Sequence, residues 1–215
     1  MARQMVRSAW SLKVWLAFAI TAVASVATAN AACRLAVLGD SLTTAYGLAL
    51  EEGFPARLQE RLGAAGYDCE VLDAGVGGDT SAGGLARLEW MLADRPTHVI
   101  VELGGNDALR ALPAEQMEAN LDAIVARLQA EGVAVLLAGM RAPPNLGRTY
   151  GDAFAAAFAR VAERHDVPLY PFFLDGVAGN VELNQPDGIH PTAEGIGIIV
   201  ERILPTVTDW LERTG

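Results

Sequence analysis

Leu35-Ala36-Val37-Leu38-Gly39-Asp40-Ser41-Leu42 is the stretch that decides the fold of this 215-residue chain. Four apolar residues in succession read as a strand buried on both faces, because a strand with one wet face would alternate apolar and polar. The strand stops at Gly39, and a carboxyl and a hydroxyl follow at once. Similar runs recur at Val71-Leu72, Val99-Ile100-Val101 and Val133-Ala134-Val135-Leu136-Leu137, with a weaker one at Val167-Pro168-Leu169-Tyr170. Helical spacing fills the intervals: Phe54, Leu58 and Leu62; Leu85, Leu88 and Leu92; Leu121, Ile124, Val125 and Leu128; Phe154, Phe158, Val161 and Ala162; and Ile196 through Leu211. Strands alternating with helices predict an α/β fold, a parallel sheet with helices on both faces. Ligands of such sheets bind beyond the carboxyl ends of the strands, so those ends are where chemistry is sought.

Composition narrows the classes. The chain is 52% hydrophobic and 20% charged, which excludes a disordered protein, and its length suits one domain. A net charge of −10 argues against nucleic acid and against a polybasic membrane mode, both of which need a basic face. Residues 1–31 read as a secretory signal peptide. Arg3, Arg7 and Lys13 precede the apolar run Val14–Val23, and Ala29-Asn30-Ala31 supplies a small-residue cleavage site. Cleavage after Ala31 leaves a domain of residues 32–215. It also removes three basic residues, taking the formal charge from −10 to −13, with Arg as the only basic side chain besides His. An uncleaved anchor or a lipidated Cys33 would be the alternatives. The expected location is the periplasm or the exterior.

Four strand ends carry chemistry-bearing residues. Ser41 follows the first, where it is either a nucleophile on the ligand-binding rim or a helix cap. The second runs into Asp73-Ala74-Gly75-Val76-Gly77-Gly78-Asp79-Thr80, which gives a close backbone approach to a ligand or a turn capped by Asp79 or Thr80. No Gly-Lys-Ser/Thr follows, so a phosphate loop does not fit. The third runs into Glu102-Leu103-Gly104-Gly105-Asn106-Asp107, where Asn106 offers a non-titrating donor to an oxyanion, or Asn106 or Asp107 caps a helix. Near the end, Asp187-Gly188-Ile189-His190-Pro191 places a carboxylate and an imidazole three apart. The carboxylate can hold one ring nitrogen and leave the other as a base. Pro191 suits a first helical position. His98 and His165 read as structural, and no zinc-type ligand spacing occurs.

The order Ser, Gly, Asn, Asp-x-x-His resembles the GDSL or SGNH hydrolases. Supporting stretches are Leu38-Gly39-Asp40-Ser41-Leu42, Gly78-Asp79-Thr80-Ser81, Gly84-Leu85-Ala86-Arg87-Leu88, Val101–Asp107, Pro171-Phe172-Phe173 and Asp187–Pro191. The similarity is greatest to the exported bacterial esterase, thioesterase and lysophospholipase branch. It implies a flavodoxin-like α/β/α sandwich with five parallel strands and a Ser41–His190–Asp187 triad. The oxyanion hole would comprise the N–H groups of Ser41 and Gly78 and the side chain of Asn106, with no cofactor and no metal. The segment after Asn106, with Asp107, Leu109 and Leu112, and the stretch with Met140 and Pro143 would contact an acyl chain. The expected substrates are medium to long acyl esters, thioesters or lysophospholipids, handled by a monomer with no nucleic-acid partner and no membrane span once the leader is removed. A sugar deacetylase with the same triad, or a binding protein that keeps the fold, would be the alternatives. In this topology Cys33 and Cys69 begin neighbouring strands, so a Cys33–Cys69 disulfide is expected; the alternative is two free buried thiols.

Overall fold

The computed structural model describes residues 32–214, and the expected leader lies outside the described residues. The apolar runs form β1 (Cys33–Leu38), β2 (Cys69–Asp73), β3 (His98–Glu102), β4 (Ala134–Ala138) and β5 (Leu169–Tyr170). All pair in parallel in the order β2-β1-β3-β4-β5. β3 is buried along its whole length and β1 is buried from Leu35 onward, as continuous apolar runs require. β2 is half-exposed because it forms an edge.

The helices are α1 (Phe54–Ala64), α2 (Ser81–Ala86), α3 (Leu88–Leu92), α4 (Gly105–Leu109), α5 (Ala114–Ala130), α6 (Arg148–His165) and α7 (Ala193–Thr214). α1 and α7 pack together on one face of the sheet, while α5 packs with α2 and α6 on the other. The three layers match the expected sandwich. Phe54, Leu58 and Leu62 of α1 are fully buried, as are Ile199 and Ile203 of α7. Those side chains recur every three or four residues and so form one stripe facing the core.

Two expectations need correction. Leu85, Leu88 and Leu92 do not share one continuous helix. The chain breaks at Arg87, whose guanidinium turns back to Asp79 Oδ2 (2.5 Å), Ala74 O (2.6 Å) and Gly39 O (2.9 Å). Pro191 precedes α7 instead of entering its first turn; Thr192 caps that helix, its hydroxyl oxygen accepting from Gly195 N–H (3.2 Å). At the opposite end of the sheet, Cys33 faces Cys69 in register, and their sulfurs are bonded across Cα atoms 4.5 Å apart.

Candidate active site

The strand order reverses between β1 and β3, so a crevice opens beyond their carboxyl ends. The chain leaves β1 in a single tight turn in which the N–H groups of Thr43 and Thr44 donate to Asp40 O (3.3 Å each). Asp40 caps this turn itself, its Oδ1 accepting from Leu42 N–H (2.9 Å). Ser41 is thereby freed from capping, and its hydroxyl faces the loop before α7.

That loop carries the imidazole. Asp187 Oδ1 accepts from the backbone N–H groups of Ile189 (2.9 Å) and His190 (3.0 Å), which folds the tetrapeptide so that both side chains face the same way. Asp187 Oδ2 then lies 2.7 Å from His190 Nδ1, and His190 Nε2 lies 2.9 Å from Ser41 Oγ. These hydrogen bonds, led by the backbone N–H of His190, hold the Asp187 carboxyl down at about 2. An ionised carboxylate only accepts, so Nδ1 carries the ring proton and Nε2 presents its lone pair to Ser41.

The Gly and Asn motifs close around Ser41. Gly78 adopts φ +82°, a conformation that Gly takes without strain, and its carbonyl accepts from Arg110 (2.9 Å). Thr80 caps α2, its hydroxyl oxygen accepting from Gly83 N–H (3.2 Å). Asn106 and Asp107 lie inside α4 and do not cap it, since Gly104 precedes the helix with φ +111°. Asn106 Nδ2 donates to Asp40 Oδ2 (2.9 Å), which fixes the amide and leaves the same nitrogen a second N–H to donate. The N–H groups of Ser41 and Gly78 have no acceptor among the described residues.

Beneath these donors lie two carboxyl groups with unusual titration. Asp40 is 1% exposed, and burial pushes it up to about 6 against the opposing pull of Leu42 N–H, Asn106 and His190. Glu102 at the end of β3 is fully buried, and neither carboxyl oxygen has a partner among the described residues. Burial, and then the charge of Asp40, push it well above the usual carboxylate range. Both residues stand in the stretches that carry the family resemblance, yet their burial against each other is a long-range contact with no local signature.

An apolar cleft of about 480 Å³ adjoins the triad, lined by Leu42, Leu109, Met140, Pro143, Phe172 and Ile189 among others. Of the five residues expected to contact an acyl chain, Leu109, Met140 and Pro143 line this cleft. Asp107 and Leu112 do not. Asp107 is buried away from the cleft, its carboxylate accepting from Ser81 N–H (2.7 Å) and Ser81 Oγ (2.6 Å). Leu112 lies outside the lining, and its carbonyl accepts from the Tyr150 hydroxyl (2.8 Å). Asp107 and Leu109 are two residues apart in α4 and so point about 200° from one another, while Leu112 lies beyond the end of that helix. His98 and His165 stand far from Ser41. His98 begins β3 against Thr97 and Thr214, with burial lowering its pKa, and His165 ends α6 against Asp122.

A hydroxyl bonded to an imidazole that a carboxylate holds, on the reversal point of a parallel sheet, defines a serine hydrolase of the α/β/α type. Residues 37–197 match the model of the GDSL-like lipase/acylhydrolase family. The chain is 45% identical over 178 residues to esterase TesA of Pseudomonas aeruginosa, covering 82% of this chain and 89% of that one. It is 38% identical over 186 residues to thioesterase 1/protease 1/lysophospholipase L1 of Escherichia coli K12, covering 86% and 84%. The crystal structure of the psychrotrophic esterase EstA from Pseudoalteromonas sp., inhibited by monoethylphosphonate, superposes with a TM-score of 0.79 at 36% identity, covering 83% and 98%. The chain belongs to the GDSL-like lipase/acylhydrolase family, the GDSL or SGNH hydrolases.

Proposed function

We propose that Ser41, His190 and Asp187 are the nucleophile, general base and orienting carboxylate of this ester- and thioester-cleaving hydrolase, and that its substrates carry medium to long acyl chains. The observation behind this reading is the 2.9 Å and 2.7 Å line from Ser41 Oγ through His190 to Asp187, set beside an apolar cleft. His190 Nε2 takes the Ser41 proton as Oγ attacks the acyl carbonyl. The carbonyl oxygen, now an oxyanion, takes hydrogen bonds from Ser41 N–H, Gly78 N–H and the second N–H of Asn106. Each such donor is worth about 3 kcal/mol of the barrier. Collapse of the tetrahedral adduct expels the alcohol or thiol, which receives the proton held on His190. Water then attacks the acyl-enzyme, with His190 again as base.

The cleft volume lies in the range of small-ligand sites, and its walls are apolar, which suits an alkyl chain better than a hydroxyl-rich sugar. Among acyl donors outside the cytoplasm, lysophospholipids fit best. The leader pattern in residues 1–31 and the Cys33–Cys69 bridge support an exported, oxidised protein. One chain supplies every residue of the triad, so we propose that it works as a monomer. Among the described residues no helix is long and apolar enough to cross a membrane.

The test is a series of nitrophenyl esters from acetyl to palmitoyl, with a lysophosphatidylcholine beside them, run against Ser41→Ala. We expect kcat/KM to rise from acetyl to medium chains and Ser41→Ala to be inactive on every ester. Strict acetyl preference would replace this reading with a deacetylase, and an active Ser41→Ala would remove the nucleophile.

A further inference from the structure

Five residues after Ser41, the turn that leaves β1 presents Tyr46. Its side chain is 53% exposed, yet its ring lies on the imidazole of His190, with centroids 4.1 Å apart and planes inclined by 29°. The two segments are fastened together by one residue. Gln185 Nε2 donates to the carbonyls of Tyr46 (2.8 Å) and Pro191 (2.9 Å), and Gln185 N–H donates to His190 O (2.7 Å). The stack is therefore built from both sides by hydrogen bonds and does not rest on a chance contact of an exposed ring.

We propose that Tyr46 is a positioning residue for the base: its ring face holds the imidazole plane and stabilises the imidazolium formed when His190 takes the Ser41 proton. The proposal rests on the triad reading above. Three approaches to the imidazole are occupied, Nδ1 by Asp187, Nε2 by Ser41 and one face by Tyr46. The charged groups that face it are Asp187 in its own loop and Asp40 at the end of β1. Tyr46 adds no formal charge but presents the negative face of an aromatic quadrupole. A neutral imidazole gains little from that face and an imidazolium gains more. During turnover the positive charge develops as His190 takes the Ser41 proton, so the stack acts on the barrier and not on ground-state binding.

Shielding and quadrupole must be separated, because removing a ring also lets water reach His190 and would raise its pKa. Tyr46→Leu keeps the shielding and removes the quadrupole; Tyr46→Phe keeps both. We expect Tyr46→Leu to lose about three- to fivefold in kcat with KM little changed, and the acid limb of its kcat/KM profile to move down by about half a pH unit. Tyr46→Phe should stay within about twofold of the parent. NMR titration of the His190 ring, assigned by its absence in His190→Ala, should show the same downward shift in the resting Leu variant. A Leu variant with the parent's acid limb and kcat, or a Phe variant impaired as much as Leu, overturns the role of the ring face while leaving the triad intact. An active His190→Ala would overturn the triad reading itself, and this proposal with it.

Discussion

At the scale of single residues, Asp40 shows how a buried charge is tolerated for the sake of geometry. Its carboxylate anchors Leu42 N–H and the Asn106 amide, so it shapes both the turn that carries Ser41 and the side chain of Asn106. The stability consequence has a definite sign. The folded-state value of about 6 lies above the ordinary aspartate value of 3.8, so the favourable contribution is complete below about pH 4 and disappears as pH rises through about 6. Asp40→Asn removes that slope. Relative to the parent, the variant should therefore be better off at pH 7 than at pH 4, by about 2 kcal/mol, because those two pH values span most of a shift of about two units. Urea unfolding of both proteins at the two pH values measures it, and an offset independent of pH would contradict the burial argument. Activity should fall in the same variant, since an amide at position 40 turns a donor toward Asn106 where an acceptor is required. Asp187 behaves oppositely: held at about 2, its contribution is present above the usual carboxylate range and is lost as pH falls toward 2.

At the scale of elements, the strands and long helices were legible because burial on both faces, or along one stripe, leaves a periodic signature in sequence. The hydrogen-bonded line from Ser41 through His190 to Asp187 was legible for a related reason: Asp187 and His190 share one turn, and Ser41 follows a strand whose position in the sheet follows from its apolar run. What was not legible depends on contacts between distant segments. The break between α2 and α3 comes from Arg87 reaching Gly39, 48 positions away. Asp107 leaves the cleft because Ser81, 26 positions earlier, offers it two donors. The fifth strand shrinks to Leu169–Tyr170, where its pairing with β4 ends and the chain turns at Pro171. The β3–α4 junction shows how packing enforces such local geometry. Gly104 sits at φ +111°, and a Cβ there would stand 2.9 Å from Met117 Sδ and 3.1 Å from Phe158 Cζ. Gly104→Ala should therefore destabilise the fold by about 2 kcal/mol from strain and overpacking. It should also lower kcat, because Asn106 lies two residues on. An unchanged denaturant midpoint would show that α5 and α6 yield more easily than their burial implies.

At the scale of the whole molecule, the sheet has two ends with different duties. The carboxyl ends of β1 and β3 hold Ser41, Asn106 and the facing His190 loop. The amino ends hold the Cys33–Cys69 bridge, with His98 Nδ1 3.9 Å from Cys33 Sγ and His98 Nε2 3.0 Å from Thr214 of α7. β1 runs from Cys33 to Leu38, about 17 Å at the rise of a strand, and Ser41 lies three residues further on. The core between them is continuous from β1 through β4, so a disturbance at the amino end must pass through close-packed Leu35, Val37 and Ile100 before it reaches the hydroxyl. The bridge closes a loop of 36 positions, for which the chain-entropy model gives about 3–4 kcal/mol, acting mainly on the unfolded chain. The double variant Cys33→Ser with Cys69→Ser should therefore lower Tm by about 10 °C and keep the parent's kcat/KM at 25 °C. Calorimetry and the ester assay on one preparation separate the two effects. A variant that keeps the parent's Tm but loses most of its kcat/KM would mean that the two ends are mechanically coupled, and that the bridge shapes the native site instead of restraining the unfolded chain.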